Sequence, residues 1–322
     1  MTHEPGIPAT IEDIRFAYRL LLGREPDQGG HAAFATEISA GRLDLEGLAR
    51  AICTSREYTL RRGDTPVEVP MDGYSLFVRP SDRDIGSLIL AGHAYEPHVA
   101  RVVRERLRPG HTFVDVGANI GYFTALAAHL VGPGGTVVAV EPLDKNLQLI
   151  YATIWRNRFD WVQAVPFAAS DSRRLLPIAT HDGTSNGQVE LFGAADRQPA
   201  AFATARPLDE VLANLADLHL LKIDIEGHEL IALRGFAAGL ALHRPMLLTE
   251  FHPKCMRENS GIDPLDYLAF LFDYGSSIRV LRHHGGHKDC SNANQVMLEW
   301  ELADAHFASH GAVHLDLFVC PN

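Results

Sequence analysis

Apolar positions between Ile11 and Arg62 recur at helical spacing. Ile14, Ala17, Tyr18, Leu21 and Leu22 mark one helix face, and the Pro- and Gly-containing turn Gly23–Gly30 stops it. Phe34, Ile38 and Leu43 predict a second face, and Leu45, Leu48, Ala49, Ile52 and Cys53 a third. Residues 1–62 therefore read as a small all-helical module closed by Ser55, Glu57 and Tyr58. So short a segment buries little area, which predicts that it leans on the rest of the chain, on a protein partner or on a second copy.

Arg61-Arg62-Gly63-Asp64-Thr65-Pro66 reads as a linker, and residues 63–110 as a lead-in. The lead-in holds strand-like pieces at Val67–Val69 and Tyr74–Val78, then a helix from Glu96 to Leu107 ending at Pro109-Gly110. From His111 the period alternates. Strands are predicted at 111–117, 136–141, 162–168, 218–224 and 246–251, and helices at 120–131 and 144–158. Near-continuous apolar strands separated by helices define an α/β fold over residues 111–322. They predict a doubly wound, mostly parallel sheet covered on both faces, with an antiparallel addition near the C-terminus. Arg174 to Pro207 breaks this rhythm and reads as a hairpin or lid.

Composition adds exclusions. An apolar fraction of 46% and a charged fraction of 21% are ordinary for a globular protein. The net charge of −11 argues against a nucleic-acid backbone binder. No apolar run approaches the ~18 residues of a membrane span, and MTHEPGIPAT is unlike a secretory signal, so a cytoplasmic protein is expected. Cys53, Cys255, Cys290 and Cys320 have no metal-ligand spacing and read as free thiols.

The sharpest local chemistry is Phe113-Val114-Asp115-Val116-Gly117-Ala118-Asn119-Ile120-Gly121. An apolar strand enters a turn bracketed by Gly117 and Gly121, where the backbone can approach a ligand and the following helix offers its free N–H groups. The next strand ends in Glu141, where a carboxylate can take two ribose hydroxyls. A dinucleotide fingerprint needs glycine at Asn119, where room is made for a diphosphate. Asn119 can instead bond an amino acid's carboxylate or amine, and Asp115 can hold an ammonium. The set suits S-adenosylmethionine better than NAD. An NAD-linked oxidoreductase and a non-catalytic protein that keeps the cofactor fold are the alternative readings.

At Asp115–Thr124 the chain resembles the FkbM family of methyltransferases. Glu141-Pro142, Ala169-Ser170-Asp171, Leu208-Asp209-Glu210 and Lys222-Ile-Asp-Ile-Glu-Gly-His-Glu229 follow in matching order, with Tyr95-Glu96-Pro97 upstream. The resemblance implies a class I, Rossmann-like methyltransferase fold. It also implies transfer to a hydroxyl oxygen, often on a sugar, glycan or secondary metabolite, and places Ser170 or Asp171 beside the adenine. Tyr18-Arg-Leu-Leu-Leu-Gly-Arg-Glu-Pro-Asp27, Gly30, Phe34 and Ser55-Arg-Glu-Tyr58 resemble a phycobilisome-linker-like helical module of unknown function.

Ligands of open parallel sheets sit beyond the strands' carboxyl ends, which singles out Asp224, Glu250 and His252 as well. Lys222 and Asp224 share one side of a strand and need partners there. Glu226 suits a helix start, and His228 ionises near neutrality. Asp224, Glu226 and His228 are thus the candidates for acceptor activation, with Asp224 orienting a hydroxyl and His228 taking its proton. A Mg²⁺ site on Asp224, Glu226 and Glu250 is the competing idea, and no metal is expected. His283-His284-Gly285-Gly286-His287 reads as a solvated histidine-rich loop.

Overall fold

The computed structural model describes residues 7–58, 64–180, 183–189, 201–283 and 285–322. The chain divides into two compact units. One comprises Met1–Val69, Val78–Ala94 and Asp182–Thr184. It opens with α1 (Ile11–Ala17), a π-helical turn at Tyr18–Leu22, α2 (Gln28–Ser39) and α3 (Leu45–Cys53). Ile14, Tyr18, Leu22, Leu48 and Ile52 form its core, with Phe34, Ile38, Leu43 and Tyr58 packed against them. Polar residues of the same segment hold this core in place. Asp27 caps α2 by accepting from the Gly30 amide at 2.8 Å. Arg24 donates to Glu57 at 2.7 Å and lies 5.0 Å from the centre of the Tyr18 ring. A Cβ on Gly30 would come within 2.3 Å of the Tyr18 hydroxyl. The same unit carries α4 (Gly86–Leu90), whose first turn donates to buried Asp82. Part of the expected linker, residues 61–63, lies outside the described residues.

Strands β1 (Val67–Pro70) and β2 (Ser75–Val78) follow in sequence. The second unit then runs through α5 (Pro97–Arg106), β3 (Thr112–Val116), α6 (Tyr122–Val131), β4 (Thr136–Val140), α7 (Asp144–Asn157) and β5 (Val162–Val165). Next come β6 (Ala168–Ala169), β7 (Arg174–Thr180), β8 (Gly187–Val189), β9 (Ala201–Arg206) and α8 (Leu208–Val211). The chain returns to the main sheet with β10 (Leu220–Ile223), α9 (Glu229–Arg234), α10 (Ala237–His243) and β11 (Met246–Phe251). It ends with α11 (Pro253–Ser260), α12 (Pro264–Tyr274), β12 (Ile278–Leu281), β13 (His287–Cys290), α13 (Ala293–Phe307) and β14 (Leu315–Val319).

The main sheet has eight strands in the order β13-β12-β14-β11-β10-β3-β4-β5. Neighbours from β11 to β5 are parallel, and β14 runs antiparallel between β11 and β12. Every residue of β3 and β10 is buried, as a sheet covered on both faces requires. These directions bring the carboxyl ends of β3, β4, β10, β11 and β12 to one edge, together with the amino end of β14. The doubly wound sheet with its antiparallel addition is as expected.

Strand ends shift by one or two residues, and two boundaries differ for a clear physical reason. The helix after β3 begins at Tyr122, because Gly121 is still left-handed at φ 86°. The third strand stops at Val165, where Pro166 cannot donate to a ladder. Ala168 and Ala169 pair instead with Ala205 and Arg206 of β9, in a separate four-stranded sheet β6-β9-β7-β8. The expected hairpin is present as β7 against β9, and residues 190–200 between β8 and β9 lie outside the described residues.

Candidate active site

At the carboxyl end of β3 the chain turns tightly against β10. Gly117 has φ 77°, and a Cβ there would lie 1.9 Å from the Asp224 carbonyl oxygen. No other residue fits. The Gly117 and Ala118 amides donate to the Val140 carbonyl at 2.9 and 3.1 Å, fixing the loop to β4. Asn119 is left-handed too, at φ 51°. Its amide donates to Glu141 Oε2 at 2.9 Å, and its Nδ2 to Asn186 Oδ1 at 2.7 Å. Gly121 closes the loop over Ile150, which a Cβ would meet at 2.9 Å.

Asp115, Gly117, Asn119, Gly121 and Glu141 are thus brought together as expected, but Glu141 has protein partners. It is 4% exposed and also accepts from the Leu143 amide at 2.9 Å and Asn146 Nδ2 at 3.2 Å. Burial pushes its pKa up to about 7, against the pull of those donors. Asp115 is 1% exposed. Its Oδ2 accepts from Thr124 at 2.7 Å, while its buried Oδ1, like that of Asn119, has no hydrogen-bond partner among the described residues. Burial raises the Asp115 pKa, and Lys222, its register partner on β10, draws it down.

Lys222 is the hub of the next cluster. Its Nζ donates to Asp224 Oδ2 at 2.9 Å and sits 4.9 Å from the centre of the Phe123 ring. Burial opposes the ammonium, yet Asp224, Asp115 and Glu96 together hold its pKa above the ordinary value. Asp224 keeps 26% of its side chain exposed, so it is the member of this ion pair that reaches solvent. Glu96 stands before α5 with a left-handed backbone at φ 39°. Burial, then the carboxylates of Asp316 and Asp224, push it up to about 8. Such strain in a non-glycine residue is kept where the surroundings enforce it.

The loop after β10 is shaped by Glu229 and Gly227. Fully buried Glu229 accepts from the Ile225 and Gly227 amides at 2.9 and 3.1 Å. A Cβ on Gly227 would lie 2.4 Å from the Cys255 carbonyl carbon, so α11 passes close behind the loop. Half-buried Glu226 has φ 56°, and its carbonyl accepts from Asn259 at 2.8 Å.

His228 is 3% exposed, not a surface histidine. Its Nδ1 meets Ser260 Oγ at 2.9 Å and its Nε2 meets Ser170 Oγ at 3.4 Å. Both ring nitrogens are therefore engaged by serines, and Asp224 pairs elsewhere. Burial pushes the His228 pKa down to about 4. Ser170 and Asp171 follow β6, not the third strand of the main sheet, which corrects their expected position. Buried Ser170 accepts from Arg174 at 2.7 Å, and Asp171 pairs with the same guanidinium at 3.2 Å.

Sequence reasoning picked out Glu250 but missed His98, His314 and Asp316, which the fold brings to the same edge. His98 Nε2 lies 2.6 Å from Asp316 Oδ2, and His314 Nδ1 lies 3.5 Å from Glu250 Oε1. Asp316 interrupts an otherwise apolar strand, Leu315-Asp-Leu-Phe-Val319, which is the signal that marked Lys222. His283, expected in a solvated loop, is half-buried with its ring 4.6 Å from that of His98. His284 lies outside the described residues. A depression of about 440 Å³ lined by Asp217, His219, Arg244 and Met246 is at the opposite edge, near the amino ends of β10 and β11.

Leaving out the edge strand β13 and counting from β5, the other seven strands run third, second, first, fourth, fifth, seventh, sixth, with the seventh reversed and the glycine turn after the first. That is the class I methyltransferase fold. Residues 115–278 match the methyltransferase FkbM domain, about half of the chain, and the protein belongs to that family. The 31-O-demethyl-FK506 methyltransferase FkbM of Streptomyces tacrolimicus is 30% identical over 40% of this chain and 60% of its own length. A protein-L-isoaspartate O-methyltransferase of Methanopyrus kandleri is 25% identical over 39% of this chain and 55% of its own. The chain thus spans little more than half the length of these curated relatives. Among solved structures, a methyltransferase FkbM from Methylobacillus flagellatus aligns over 57% of this chain and 47% of its own, at 22% identity and a TM-score of 0.38.

Proposed function

We propose that the protein is an S-adenosylmethionine-dependent O-methyltransferase acting on a hydroxyl of a sugar, glycan or secondary metabolite. One observation carries the cofactor: the glycine-bracketed turn after β3 keeps two buried acceptor atoms, Asp115 Oδ1 and Asn119 Oδ1, without a hydrogen-bond partner among the described residues. A buried polar atom left unpaired costs about 1–3 kcal/mol, and the ammonium of an amino-acid cofactor supplies the missing donors. The residues fit the group. Asp115 and Asn119 would hold its amino-acid end. Glu141 has two oxygens with about four acceptor sites, so a ribose hydroxyl can share it with the three protein donors. When bound, the cofactor supplies an electrophilic methyl group on sulfur.

The chain's part is to present and deprotonate the acceptor. Asp224, paired with Lys222 and still reachable from solvent, orients a hydroxyl and accepts its proton. The Phe123 ring packs against the Lys222 ammonium, which is 6% exposed, and shields that end of the pair from bulk water. Glu226 lies two residues further along the same loop and is half-buried. His228, with both nitrogens bonded to serines, braces Ser170 against α11 in this reading. Of the two relatives, one is named for an FK506 precursor and the other for protein L-isoaspartate. Oxygen is common to both, and the family match favours the small molecule.

A tritium-transfer assay with S-methyl-labelled cofactor tests the reading. Label should pass to hydroxylated glycosides or metabolites, and Asp224→Asn should slow transfer by ~10²–10⁴ with cofactor affinity intact. Transfer to an isoaspartyl peptide instead would move the acceptor to protein carboxylates. Tight binding of NAD with none of S-adenosylmethionine would replace the assignment with an oxidoreductase.

A further inference from the structure

Five side chains at the reaction edge have no part in the methyl-transfer reading: His98, Glu250, His283, His314 and Asp316. The ligating atoms of His98, His283 and Asp316 all lie within 4.8 Å of one another. His314 stands beside them, its Nε2 4.0 Å from Asp316 Oδ2 and its ring 5.3 Å from that of His283. They converge from α5, from the loops after β12 and before β14, and from β14 itself.

Charge is the second observation. Glu250 and Asp316 are direct partners across the β11–β14 ladder, and each is 7% exposed. Like charges directly opposite one another destabilise a sheet, and burial adds a desolvation cost to both. Lys222, the ammonium in this neighbourhood, is committed to Asp224. Glu250 Oε2 and His98 Nδ1 are buried and have no hydrogen-bond partner among the described residues. Two buried carboxylates, an unpaired imidazole nitrogen and two further imidazoles are a donor set in want of a cation.

We propose that these residues bind one divalent transition-metal ion of the Zn²⁺ class, with His98, His283 and Asp316 as ligands and Glu250 and His314 close enough to complete the coordination. Imidazole donors select against Mg²⁺ and Ca²⁺, which take oxygen. His283 is half-buried and His314 keeps 33% of its side chain exposed, so an ion can enter from solvent. The site is argued from its own residues and stands whether or not the chain transfers methyl groups.

The test uses the full-length protein, stripped with EDTA and titrated with Co²⁺ by visible absorption and with Zn²⁺ by calorimetry. One equivalent should bind per chain and raise Tm. His283→Ala should lower affinity by at least the roughly 10–100-fold that losing even an outer partner costs. His287→Ala, in the same histidine-rich stretch but exposed, should leave affinity unchanged. Asp316→Asn preserves shape and serves as the second variant should His283→Ala fail to fold. S-adenosylmethionine affinity should be the same in His283→Ala as in the parent, which separates this test from that of the methyltransferase reading. Absence of saturable Zn²⁺ or Co²⁺ binding overturns the site. Equal losses in His287→Ala and His283→Ala overturn it as well, since the loop itself would then be the chelator.

Discussion

Glu141 and His228 are both buried ionisable groups, and burial moves them in opposite directions. Glu141 rises to about 7 from its ordinary 4.5, so the fold favours its protonated form. Its contribution to stability is full below pH 4.5 and is lost as pH rises through about 7. The size is about 3 kcal/mol. His228 falls to about 4 from 6.5, so the fold favours the neutral ring. Its contribution is full above pH 6.5 and is lost as pH falls through about 4. Urea midpoints from pH 4 to 8 check both: Glu141→Gln should flatten the decline on the alkaline side, and His228→Asn the decline on the acid side. Cofactor affinity gives a separate expectation. Glu141→Ala should weaken S-adenosylmethionine binding at least tenfold by calorimetry, and it should also lower the melting temperature. Three donors, the Asn119 and Leu143 amides and Asn146 Nδ2, lose their acceptor, at about 1–3 kcal/mol for each left unsatisfied.

Among the elements, the turn from β3 to α6 is governed by close approach. Gly117 opens the turn after β3 and Gly132 follows α6, and both have positive φ, at 77° and 64°, with ψ −174° at Gly132. Only Gly117 is crowded: its added Cβ would sit 1.9 Å from the Asp224 carbonyl oxygen, whereas nothing lies within 4 Å of Gly132. Gly132→Ala should therefore cost only the backbone penalty of a region essentially confined to glycine, about 1–3 kcal/mol. Gly117→Ala must in addition force β10 and the turn apart. Thermal melts with cofactor titrations should show Gly132→Ala less stable but binding normally, and Gly117→Ala without binding or unfolded. Equal effects of the two would mean that the packing of the turn on β10 is unimportant.

For the whole molecule, the helical unit and the sheet unit each carry their own core. The residues that hold α1 to α3 together, Arg24 with Glu57 and Asp27 with Gly30, are internal to the first unit. None of them belongs to the Gly117–Gly121 turn or the Lys222–Asp224 pair. Removal of residues 1–62 leaves Asp64 in place to accept from Arg79. The shortened chain should bind S-adenosylmethionine within a few-fold of the full chain, with lower solubility where the lost helices covered apolar surface. A folded but non-binding product would show that the helices belong to the site.

The order of the elements and the cofactor turn were legible in the chain because they depend on local rules. Period-two and period-3.6 patterns mark strands and helices, and a glycine turn followed by a strand-end acid marks a nucleoside site. The nearly separate core of the first helices was legible for the same reason, in the spacing of Ile14, Tyr18 and Leu22. What tertiary structure alone decided is who meets whom across distant sequence. It turned Glu141 toward three donors of the protein, and it moved Ser170 and Asp171 into a second sheet because Pro166 ended the strand before them. His228, read as a titrating base, came to lie between Ser170 and Ser260. His98, His283 and Asp316 came together only because β14 runs backward beside β11 and β12. Sequence spacing carries no record of such a meeting, since the residues share no helix face and no strand. The pairing of strands fixes it, and with it the chemistry at that edge.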